Sequence, residues 1–119
     1  MARTIPETLA RLQTSSFRSS FALSTKDKAY VREKGLDVIE SHARDFVRER
    51  LAPAFPANDG KQTPMSGHPV FKAMHACACC CRGCLKRWYK VEKGVPLSPQ
   101  QQEKIVHLLL AWIKNQMEE

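Results

Sequence analysis

No run of apolar residues in this chain is long enough to cross a bilayer, which takes about 20 of them; the longest candidate stretch, VHLLLAWI from Val106, is eight residues long, His107 included. The N-terminal MARTIPETLARLQ also lacks the apolar core of a secretory leader, so no membrane association is expected. Strict apolar–polar alternation never persists over a strand length, and no segment repeats, which argues against a sheet or a solenoid. The NDGKQTP stretch (58–64) is not a phosphate-binding loop, because it has no longer glycine-bounded span ending in Lys and Ser or Thr. Paired carboxylates and a Ser-His-Asp signature are missing as well. Acidic residues are the scarcer charge, 12 against 19 basic ones, leaving a net +7. Cysteine is absent everywhere except residues 77–84, where all five are found. An odd number cannot close entirely into intramolecular pairs, so a reducing, cytoplasmic setting is expected.

What is present is helical. Ser24 or Thr25 caps a first helix that ends at Gly35, and a second follows over 36–51 on the spacing of Leu36, Ile39, Ala43, Phe46, Val47 and Leu51. Residues 52–67, rich in Pro, Gly, Asn and Asp, form a long loop of the kind that carries function in small domains. Pro69 opens a helix whose apolar stripe, Phe71, Met74 and Ala78, runs into the cysteines. Gly83 breaks or bends it, and Leu85 and Trp88 mark another turn or two. The strongest helix starts behind the Ser98 cap and Pro99 and buries Ile105, Leu108, Leu109, Trp112, Ile113 and Met117. The expectation is all-α: four to five helices over 24–119 in one domain, with a Cys/His knuckle between helices. Residues 1–23, Ser-rich and without sustained periodicity, are expected to be a partly ordered arm.

HACACCCRGC (75–84) raises the chemical question. Cys81-Arg82-Gly83-Cys84 is a CxxC whose glycine lets two thiolates turn toward one ion, and residues 77, 80, 81 and 84 share a face if the helix continues. Zinc, with tetrahedral sulfur and imidazole ligands, fits such a cluster beside His75 and His68; an iron–sulfur cluster is the other metal possibility. One CxxC is half of a finger signature, so the remaining ligands among His68, His75, Cys77, Cys79 and Cys80 stay open. Buried packing of small thiols, and thiolate redox chemistry favoured by Arg82, Lys86 and Arg87, are the competing accounts. His42 and His107 have no ligand neighbours at useful spacing. Between Lys72 and Lys93 six cations face one acid, a net +5 with Trp88 and Tyr89 interleaved, which suits a polyanion.

The stretches 26–46, NDGKQTPMSGHPVF (58–71) and HACACCCRGCLKRW (75–88) resemble a family of small prokaryotic proteins of unknown function, domain-of-unknown-function family 4186. The resemblance spans Phe17 to Met117. It brings no activity, but it implies weight on Gly67 to Phe71, His75, Cys80 to Cys84 and Trp88. In that family threonine stands at the places of Cys77 and Cys79, and histidine at that of Tyr89. Taken with the chemistry, it implies a metal set of His75, Cys80, Cys81 and Cys84, with His68 in reserve.

Two functions are compatible with these readings. One is a zinc-binding module whose basic segment meets nucleic acid or another anionic partner. The other is a metal- or thiol-dependent enzyme on an anionic, phosphate-containing substrate, with Lys61, Arg82, Lys86 and Arg87 as anion-binding residues and Asp59 or His68 as general base.

Overall fold

The computed structural model describes residues 3–118, and among them there are helices and no strand. Helix α1 spans Ile5–Gln13, α2 Ser16–Ser19, α3 Thr25–Lys34, α4 Leu36–Phe46, α5 Pro69–Ala76, α6 Arg82–Tyr89 and α7 Pro99–Met117. Three starts are capping boxes: Thr4 with Glu7, Ser24 with Asp27, and Ser98 with Gln101. In each, one side chain takes the third residue's N–H while that residue's side chain takes the cap's own N–H. Gly35, at φ +84°, ends α3 and begins α4 in a conformation that favours glycine. α4 runs on into a π-turn, Val47–Leu51, closed by Ala52 N–H to the Val47 carbonyl at 2.8 Å.

α7 is the central element. It packs on α4, α5 and α1, and Ile105, Val106, Leu108, Leu109, Trp112 and Ile113 are all buried. Against them lie Ile39, Ala43, Val47 and Leu51 from α4 and its π-turn, and Val70, Ala73 and Met74 from α5. Among the described residues no helix is long and apolar enough to cross a membrane.

Two stretches differ from the expectation. The N-terminal segment, read as an arm, carries α1 and α2; Leu12 and Leu23 belong to the main core cluster, and Ile5 and Leu9 pack against it. Ile5, Leu9 and Leu12 lie at i, i+4 and i+7, which is enough for one buried face on a short helix. The second difference is at the cysteines. α5 stops at Ala76, and the buried Ala78 takes φ +57°, a left-handed conformation rare for alanine. Residues 77–81 are therefore not helical, and Gly83, expected to break a helix, sits inside the first turn of α6.

A three-thiol cluster as the candidate metal site

The turn at Ala78 separates the five cysteines into two groups. Cys77 and Cys79 point into the core and are fully buried; burial first, and then mutual repulsion for Cys77, push both thiols far above their ordinary range. The Cys79 thiol donates to the Cys77 carbonyl at 3.4 Å. They are packed, protonated groups. Cys80, Cys81 and Cys84 instead converge, with their sulfurs all within 4.8 Å of one another. Cys80 and Cys84 sulfurs are 3.5 Å apart, and Cys81 caps α6 by accepting the Cys84 N–H at 3.3 Å. Adjacent cysteines cannot face the same way on a helix. The extended backbone at Cys81, φ −158° and ψ 167°, removes that conflict.

His75 does not join the three. Its Nε2–H donates to the Thr63 carbonyl at 3.0 Å, and its ring stacks on Phe21 with centroids 5.4 Å apart. Its role here is to fasten the long loop: Thr63 also donates its hydroxyl to the Cys80 carbonyl at 2.8 Å. His68 is farther off. It caps α5 through Nδ1, which accepts the Val70 N–H at 3.0 Å, so the proton must sit on Nε2 and is donated to His42 Nδ1, also at 3.0 Å. Burial, and then His42, push His68 down to about 4, so it is neutral at neutral pH. Tyr89 donates its hydroxyl to the Cys77 carbonyl.

One participant was not foreseen. Arg18, on α2 and 6% exposed, donates to the His75 carbonyl at 2.7 Å, to the Cys84 sulfur at 3.2 Å and to the Cys80 sulfur at 3.6 Å. The Cys80 thiol and then the Cys81 and Arg18 hydrogen bonds, working against burial, bring Cys84 down to about 5. Cys80 moves the opposite way, because it keeps the proton it shares with Cys84 and is buried. The cluster thus has one thiolate, one thiol that donates to it, and a guanidinium covering both. Only the Ser-rich TSSFRSS context surrounded Arg18 in the sequence, and nothing there marked it.

The expected anion-binding residues are not gathered. Arg82 is 1% exposed; its guanidinium donates to the carbonyls of Leu51, Pro53, Glu92 and Val95, so it cannot meet an external anion. Lys61 is exposed on the loop, beside Asp59. Asp59 accepts the Arg82 N–H at 3.0 Å and the Gln62 amide at 3.0 Å, which occupies the proposed general base. Of the six cations in 72–93, Lys72 pairs with Asp27 at 2.6 Å, Lys93 lies 3.8 Å from Asp59 and Arg82 is buried. Lys86, Arg87 and Lys90 remain exposed on or just beyond α6. Trp88, half-buried, carries Arg11 at 4.6 Å and Arg18 at 6.0 Å over its ring, so two cations of the protein already share it.

Fold and site together define a small all-helical protein with a buried three-thiol cluster that could hold a metal ion. The chain matches the family described as Domain of unknown function (DUF4186) over residues 6–114 and belongs to it. The matched span takes in α2, and with it Arg18, and all of α1 but Ile5. No solved structure matches the chain.

Proposed function

We propose that the protein is a zinc-binding helical module whose exposed cations on α6 meet an anionic partner, with Cys80, Cys81 and Cys84 as the metal ligands. The observation that carries this is the convergence of the three sulfurs. Thiolates ~2.3 Å from a tetrahedral zinc stand ~3.8 Å apart, and the Cys80–Cys84 separation of 3.5 Å needs little adjustment to reach that. Arg18 supports the reading: a divalent ion on three thiolates carries one net negative charge, and the guanidinium against two of the sulfurs balances it. His75, with Nε2 committed to Thr63, is replaced in the set by a fourth ligand from outside the three cysteines, such as water.

Elemental analysis of protein purified under reducing conditions tests this. About one equivalent of zinc is expected, and Cys84→Ser should lower both the bound metal and the melting temperature, because a structural site contributes its binding free energy to folding. A wild-type protein that takes up no zinc on reconstitution, or a Cys84→Ser variant with full metal content and unchanged melting, sinks the proposal. The second reading, a thiol-dependent enzyme on an anionic substrate, is favoured by the guanidinium 3.2 Å from the Cys84 sulfur, and it predicts rapid alkylation of Cys84 in metal-free protein.

A further inference from the structure

Between α1 and the C-terminal end of α6 lies an open cavity of about 380 Å³, lined by Arg3, Arg11, Arg87, Lys90, Trp88 and Tyr89, with Thr8 also in its lining. Four cations therefore face one space. Among the described residues none of the four is in an ion pair; the ion pairs found there use other groups. Glu7, the acid that feels the Arg3 charge, has its carboxylate tied to the Thr4 hydroxyl at 2.8 Å and the Thr4 N–H at 3.2 Å. Arg11 is half-buried, held by one N–H on the Trp88 carbonyl at 2.7 Å and by the Trp88 ring beneath it. Its remaining guanidinium donors are left for the cavity.

Arg11 and Arg87 each also lie near the C-terminal end of their own helix, where a cation is favourable. That preference explains each residue singly. It does not explain why two helix ends from opposite parts of the chain bring their cations to one cavity with no carboxylate in its lining.

From these observations we infer that the α1/α6 cavity is a binding site for a di- or triphosphate group. Guanidiniums recognise phosphate oxygens through paired charge-assisted hydrogen bonds, and several adjacent phosphates match four cations better than a single anion does. This narrows the anionic partner of the preceding reading to a ligand class and does not depend on the metal. The same chemistry is offered by free polyphosphate and by the tail of a nucleoside triphosphate.

Calorimetric titration of the full-length, metal-analysed protein with tripolyphosphate, pyrophosphate, ATP and a single-stranded oligonucleotide, each at two salt concentrations, tests the site. Tripolyphosphate is expected to bind, more weakly as salt rises, and Arg87→Gln should weaken it by about 10-fold or more, the loss expected for one charge-assisted contact. Arg3→Gln should weaken it as well. Both residues are exposed, so unfolding midpoints should stay at the wild-type value; Lys114→Gln, on α7 and outside the lining, should leave binding unchanged. Equal affinity for ATP and tripolyphosphate supports a free-polyphosphate source, and tighter ATP binding supports a nucleotide source. Absence of tripolyphosphate binding at low salt overturns the inference, as does binding indifferent to Arg3→Gln and Arg87→Gln. Binding of the oligonucleotide alone, lost in Lys86→Gln, would overturn the cavity while leaving an anionic partner on α6 in place.

Discussion

Replacing Arg82 by methionine removes a buried cation of similar length and leaves its four acceptors without a donor. The guanidinium reaches Pro53, Glu92 and Val95 carbonyls at 2.7 Å each and that of Leu51 at 3.4 Å, which ties the end of the π-turn and the start of the loop to the segment before α7. The Arg82 backbone N–H, which methionine would keep, donates to Asp59, and burial lowers the guanidinium pKa against the pull of that carboxylate. An orphaned buried acceptor costs roughly 1–3 kcal/mol, but four neighbouring ones relax together, and breaking a buried charged network costs about 3–5 kcal/mol in all. That is about a fifth or more of a typical domain's roughly 5–15 kcal/mol. At roughly 4 °C per kcal/mol for a chain of this size, melting should fall by about 12–20 °C. Arg82→Lys should lie between, because one ammonium cannot serve acceptors on two sides. Urea unfolding gives the readout. A loss under about 1 kcal/mol, or an Arg82→Met protein of normal stability that has lost anion binding, would refute the structural role and restore the anion-binding one.

Two further outcomes follow from buried or half-buried polar groups. Arg18→Leu should lower zinc affinity by about 10- to 100-fold in competition with a chromophoric chelator, as expected for loss of a group that orients and neutralises thiolate ligands; unchanged affinity would remove Arg18 from the site. His68, lowered to about 4 from an unfolded value near 6.5, binds fewer protons folded than unfolded between those limits, so its contribution is complete above pH 6.5 and is lost as pH falls toward 4. Since the ring is only half-buried, solvent screening cuts the effect to roughly 1–2 kcal/mol. Urea midpoints at pH 7.5 and 4.5 should therefore converge in His68→Asn, which keeps a cap acceptor for Val70; an identical acid slope in wild type and variant would show that another group controls it.

Elements with several concordant signals were legible. α7 announces itself by Ser98, Pro99, Gln101 and a full apolar stripe, and the boundary of α3 and α4 by Gly35. α1 had its signals too, Thr4-Ile5-Pro6-Glu7 followed by Leu9 and Leu12, but one short face reads weakly beside a Ser-rich stretch. The cysteine spacing suggested a continued helix, and no glycine warns of the left-handed Ala78 that ends it. Composition could not separate Arg82, buried among carbonyls, from Arg87 on the surface, since the two residues look alike until the fold decides what each faces. The His42–His68 and Arg18–Cys84 contacts join residues 26 and 66 positions apart, so no local pattern contains them.

The two buried arginines also constrain what the thiol cluster can hold. Arg82 is surrounded by neutral carbonyl dipoles and has Asp59 as its nearby negative charge, and its one unpartnered polar atom is the buried Nε. Arg18 is 6% exposed, and apart from the His75 carbonyl its guanidinium bonds are to sulfur. A buried cation facing only neutral thiols would carry an uncompensated desolvation cost, so at least one sulfur must bear charge. In the free protein that sulfur is Cys84. When three thiolates meet a divalent ion, the unit carries one negative charge and Arg18 still neutralises it; a monovalent ion would leave a second negative charge, and so would a fourth thiolate. Cys77 and Cys79, buried away from the other three, are not placed to supply that fourth thiolate. On the zinc reading proposed above, charge balance therefore favours a neutral fourth ligand, the coordination in which zinc can exchange that ligand for another.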